Sequence, residues 1–178
     1  DTELRAALHY VVSEGFADCV DLLLEKGAEV NVVDRDLWSP IHFAASKGQT
    51  AILQKLVERG ANVSCQTITG DSPLHVACRS GNLDIVRILL SSGVDVGLTD
   101  DLGHTALHVV AFHGFVDLAV ELVKAGADIN KADRESKTPF FIACEEGNTD
   151  IVSFLLEQES IDTEFNGSVE MLAMLMKF

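Results

Sequence analysis

Several things are missing from this sequence, and each absence closes off a class of function. No apolar run approaches the roughly 18 residues that a membrane-spanning helix needs, so no direct membrane insertion is expected. The four cysteines, Cys19, Cys65, Cys78 and Cys144, form no pair at metal-ligand spacing. Serine, histidine and aspartate are present without a nucleophile motif, and there is no glycine-rich phosphate loop. Positive charge is scarce: 13 Lys and Arg against 28 Asp and Glu leave a formal net charge of −15. A field of that sign repels nucleic acid and anionic membranes and speeds encounter with basic partners. It also keeps an array rich in apolar residues soluble. No enzyme, cofactor or metal site is expected on these grounds.

What is present is a period. His9, His42, His75 and His108 are spaced 33 residues apart, and Phe141 takes the next slot. Gly15, Gly48, Gly81, Gly114 and Gly147 keep the same interval, as do Gly27, Gly60, Gly93 and Gly126. The clearest copy runs from Gly70 to Gly93. There Ser72-Pro73 reads as a helix start, because a hydroxyl accepts from an early backbone N–H and proline suits the first helical position. Leu74, Ala77 and Cys78 give that helix an apolar face, and Gly81 stops it. Ile85, Val86, Ile88, Leu89 and Leu90 build a second helix that Gly93 stops. The stretch Val94–Gly103 suits an extended arm with a tight turn. A unit this short has too little interior to fold alone, so adjacent copies must share a core.

The segments SPIH at Ser39–His42, SPLH at Ser72–His75 and TALH at Thr105–His108 resemble the Thr-Pro-Leu-His signature of ankyrin repeats. The segments GAEVN (Gly27–Asn31), GANVS (Gly60–Ser64) and GADIN (Gly126–Asn130) resemble the family's unit ends. The resemblance covers nearly the whole chain. It implies an all-α repeat solenoid of stacked helix-turn-helix units with β-hairpin-like arms. It also implies that each signature histidine joins a hydrogen-bond relay with the hydroxyl residue three positions earlier and the neighbouring turn. Residues 1–178 are expected to form one array, with units at about 1–33, 34–66, 67–99, 100–132 and 133–165, and a cap or partial sixth unit at 166–178.

The copies differ in instructive ways. The first lacks proline at its helix start, and Leu4, Leu8 and Val12 either face a preceding unit or cap the array. Because the chain opens on Asp1 and the array starts at once, it is expected to be a piece of a longer protein. In the second copy Leu37 stands where the third and fourth have Gly70 and Gly103, which predicts a turn of different shape, since leucine pays to adopt φ > 0. The fifth has Ser136 at that place, Phe140-Phe141 for the Leu-His pair, and an arm that reads one residue short near Glu159. The apolar tail with Met171, Leu172, Leu175 and Met176 is expected to fold back as a cap. Buried, reduced thiols and a cytoplasmic, or alternatively nuclear, location fit the unpaired cysteines.

In ankyrin-repeat proteins the usual binding surface is the concave side, lined by first helices and turn tips. The residues there that a core does not need mark the expected contact site. Its centre is Trp38, Arg79, Leu102, His104, Phe112 and His113, flanked by Glu145 and Glu146. Phe112 and His113 stand out because the equivalent pairs, Ser46-Lys47, Arg79-Ser80 and Glu145-Glu146, are polar. For Trp38 and Leu102, packing of tip against tip is the alternative. The expected function is non-catalytic binding of a protein or peptide of basic character as an adaptor or scaffold, with a monomer favoured. The alternative is a spacer or regulatory arm within a longer array.

Overall fold

The computed structural model describes residues 6–158 and 160–162. The described residues form ten helices and no strand. The first helices of successive units are α1 (Ala7–Glu14), α3 (Pro40–Ser46), α5 (Pro73–Arg79), α7 (Ala106–His113) and α9 (Pro139–Glu145). The second helices are α2 (Ala17–Glu25), α4 (Thr50–Glu58), α6 (Leu83–Ser91), α8 (Val116–Lys124) and α10 (Thr149–Leu156). Each first helix packs on the next first helix, and each second helix on the next second helix, so the molecule is two parallel rows. None of these helices is long enough to be stable alone in water, so the stacking holds them.

The core repeats with the sequence. Ile41, Leu74, Leu107 and Phe140 occupy one buried column of the first row, and Leu56, Leu89, Leu122 and Leu155 one of the second. Ala44, Ala77 and Ala143 lie in the first row with no exposed surface, and their small size lets neighbouring helices approach closely. Each buried leucine or isoleucine contributes roughly 1.5–3 kcal/mol.

Histidines tie each unit to the next. The Ser72 backbone N–H donates to His75 Nδ1 at 3.2 Å, and His75 Nε2 donates to the His104 carbonyl at 3.0 Å. A backbone N–H only donates and a carbonyl only accepts, so the ring is neutral and carries its proton on Nε2. His42 repeats the pattern between the Ser39 N–H and the Asp71 carbonyl, and His108 between the Thr105 N–H and the Lys137 carbonyl. His9 receives the Ala6 N–H and reaches the carbonyls of Val32 and Trp38. Burial pushes His42 and His108 down to about 4 and lowers His75 as well. In the fifth unit the Thr138 hydroxyl accepts from the Phe141 N–H at 3.3 Å instead.

Several sequence expectations change. Leu37 does not alter its turn: it adopts φ 60°, and Ser136 φ 65°, in place of the glycine conformation. The Leu37 N–H reaches the Asp34 carbonyl just as the Gly70 N–H reaches that of Thr67, so the surrounding bonds impose the turn on leucine. The arms are hairpin-like only in their closing bonds, such as Asp100 N–H to the His104 carbonyl.

The fifth arm is one residue long rather than short. Asn31 donates to the Gly60 carbonyl and accepts from the Asn62 N–H, whereas Asn130 makes the same bonds with Ser160 and Asp162, each one place beyond the period. Leu8 and Val12 are buried within the stack. The first unit instead exposes Tyr10 and Cys19, whose equivalents Val109 and Leu118 are buried. Cys19 is therefore not a core thiol, and Cys65 is only partly covered, while Cys78 and Cys144 are buried. Leu4, Glu159 and the tail 166–178 lie outside the described residues.

Candidate functional site

The turn tips form a continuous wall because each is fixed internally and bonded to the next. Asp100 Oδ1 accepts from the backbone N–H groups of Leu102 and His104, both at 2.8 Å. Asp133 Oδ1 does the same for Glu135 and Lys137, and Asp34 Oδ1 for Asp36 and Trp38. In the third unit the Thr67 hydroxyl takes this place. Short side chains that bond their own backbone two and four residues on hold such turns. Neighbouring tips are joined by the N–H groups of Ile68, Asp101 and Arg134, which donate to the carbonyls of Asp36, Thr69 and Leu102. Gly70 lies where a Cβ would sit 2.7 Å from the Asp101 nitrogen, so the third and fourth tips touch backbone to backbone.

Against this wall the structure brings most of the expected residues together. Leu102 and Phe112 are exposed, at 62% and 52%. His113 meets Phe112 edge-on at 5.1 Å between ring centroids and stacks on Phe115 at 5.6 Å. Phe115 is partly buried against the core, and Phe16 is exposed.

His104 spans two tips, with Nδ1 3.3 Å from Asp100 and Nε2 3.3 Å from Asp133. Carboxylates of two neighbouring tips thus flank its ring. Arg79 is held by Asp71 at 2.8 Å. Burial alone would raise the Asp71 carboxyl, but the Arg79 hydrogen bond and charge outweigh it and hold the group below its usual value. Asp71 itself is buried.

Trp38 stands apart. It packs on His42 and Phe43 and lines a separate hollow with Ser13, Asp36 and Lys47. Around Phe112 there are instead two contiguous hollows. One, of about 370 Å³, is lined by Arg79, His104, His108, Val109, Phe112, His113 and Ile142. The other, of about 380 Å³, is lined by Leu102, Asp133, Arg134, Glu135, Lys137, Glu145 and Glu146 and shares His104, Phe112 and Ile142 with the first. Lys137 bridges Glu145 at 2.9 Å and Glu135 at 3.4 Å. Sequence reasoning did not name Val109 and Ile142, which are buried yet line the hollows.

No three His, Cys, Asp or Glu side chains among the described residues converge where a metal ion would fit. No helix among them is long and apolar enough to cross a membrane. A search of curated proteins returned no match. A family model of three ankyrin repeats matches in three overlapping placements, over residues 8–100, 41–133 and 74–167. With the helix pairs, the histidine relays and the linked tips, these matches place the chain in the ankyrin-repeat family, whose members are in general protein-interaction modules.

Proposed function

We propose that this chain is a non-catalytic interaction module that binds a protein or peptide in the groove between its turn tips and first helices, acting as an adaptor or scaffold. One observation carries the reading. Phe112 presents half its surface to solvent between two hollows, at a position where the other units carry Ser13, Ser46, Arg79 and Glu145. An aromatic side chain set in a concave, preformed site is the residue type that dominates binding energy at interfaces. The acidic balance of the chain favours a partner of basic character. A pull-down from cell lysate, comparing wild type with a Phe112→Ala/His113→Ala variant shown to be folded by circular dichroism, tests this. A partner retained by wild type alone supports the groove, and identical partner lists refute it.

The second reading, a spacer within a longer array, is favoured by Tyr10 and Cys19. They are exposed on the first unit, whereas their equivalents Val109 and Leu118 are buried. A spacer would be indifferent to the Phe112 substitution and sensitive to changes at Tyr10.

A further inference from the structure

The two hollows beside Phe112 differ in chemistry, and the difference points to a class of ligand; this step rests on the groove reading above. The apolar part of the first hollow is Phe112 with the buried Val109 and Ile142. Three of its four polar members are already occupied. Arg79 is bonded to Asp71, His108 to the backbone of Thr105 and Lys137, and His104 is flanked by the carboxylates of Asp100 and Asp133, while His113 meets Phe112 and Phe115 through its ring. A polar ligand group entering there would lose water and find only His113 to bond, whereas an apolar side chain would lose only its contact with water.

Across the same ring the second hollow carries four carboxylates, Asp133, Glu135, Glu145 and Glu146, against two cations, Arg134 and Lys137. Lys137 is already shared between Glu135 and Glu145, and no ion pair engages Glu146 among the described residues. Excess negative charge therefore lies next to an apolar pit. Both hollows fall in the lower part of the roughly 300–1,000 Å³ range of ligand sites.

We infer that the groove takes an extended segment of a partner protein in which a large apolar side chain seats against Val109, Phe112 and Ile142 while a neighbouring lysine or arginine reaches Glu145 and Glu146. The shared walls, His104, Phe112 and Ile142, let one segment fill both hollows at once. Phe112 then acts as the partition that sets the spacing between the apolar and the basic residue.

The test is selection from a display library of random peptides on the wild-type chain, followed by fluorescence anisotropy with the enriched peptides. The comparison proteins are Phe112→Ser and Glu145→Gln/Glu146→Gln. Serine already stands at the equivalent positions 13 and 46, and Glu145 and Glu146 lie at the surface, so both variants are built to keep the fold, which circular dichroism checks.

The expected result is peptides with an apolar residue beside a lysine or arginine, bound at least tenfold more weakly by each variant. Binding to wild type is expected to weaken as salt is raised from about 0.05 to 0.5 M, and binding to the charge variant much less so. Peptides without a basic residue, bound equally by the charge variant but lost by Phe112→Ser, would overturn this inference and leave the groove reading standing. Peptides bound equally well by Phe112→Ser would overturn both. A selection that enriches nothing would refute recognition of a linear segment.

Discussion

Acidifying the protein from pH 7 to pH 5 is expected to cost it much of its stability, and the cause is the buried histidine relay. His42 and His108 have ordinary values of 6.5 when unfolded and about 4 when folded, chiefly because burial penalises the imidazolium. Asp71 and Asp34 face His42, and Asp133 and Asp100 face His108, and their charges pull the other way without overcoming that penalty. His104 adds a repulsion at His108. The unfolded chain therefore binds protons between pH 6.5 and 4 that the folded chain refuses. Stability is fully present above 6.5, falls as pH drops through that window, and levels off below about 4. At pH 5 each of the two histidines costs about 2 kcal/mol, so together about 4 kcal/mol, with His75 adding in the same direction. Domains of this size are typically stable by only about 5–15 kcal/mol.

The opposing effect is the net charge of −15, because proton uptake relieves self-repulsion and favours the compact state. Urea unfolding followed by circular dichroism at pH 7, 6 and 5 measures the balance. The free energy of unfolding is expected to drop across the series, and a His42→Gln/His108→Gln variant, although weaker at pH 7, is expected to lose about 4 kcal/mol less. A wild type as stable at pH 5 as at pH 7, or a variant with the same pH slope, would refute the account.

Other outcomes follow from single positions. Leu37→Gly relieves a left-handed leucine that costs about 1–2 kcal/mol, set against a glycine entropy penalty of about 0.5–1 kcal/mol, so the urea midpoint is expected to rise slightly. Gly70→Ala drives a Cβ to 2.7 Å from the Asp101 nitrogen and is expected to destabilise by about 2 kcal/mol or more, read as a lower midpoint. Asn148→Ala removes the side-chain N–H bonds to the carbonyls of Ala111 and Phe112, at 2.8 and 3.0 Å, and is expected to cost about 1–2 kcal/mol in the same assay. A thiol reagent is expected to label Cys19 in the folded protein and Cys78 only after unfolding, as judged by mass spectrometry of digests, because Cys78 is buried and its thiol is pushed far up.

The sequence alone was enough for the repeat and the helix pairs, because these depend on local chemistry repeated at a fixed interval, while the role of the signature histidines came from the family resemblance. A Ser-Pro start, a glycine stop and an apolar face mean the same thing in every copy. It was also enough to single out Phe112, whose equivalents are polar. Other features depended on neighbours distant in sequence. Leu37 keeps the turn its own propensity disfavours, because the bonds of the tip outweigh the strain of one residue. The added residue in the fifth arm shows only where Asn130 meets Ser160 and Asp162.

The division of the candidate site was equally hidden. His104 reads as a free tip histidine until Asp133, from the next unit, closes on its second nitrogen, and Arg79 reads as free until Asp71 is seen beside it. Trp38 drops out of the cluster because its ring lies on His42 and Phe43. Periodicity fixes which residues face the groove. The folded tips decide which of them are already engaged: Asp133 reaches His104 from the next unit, whereas Asp71 reaches Arg79, and His42 and Phe43 meet Trp38, within their own units.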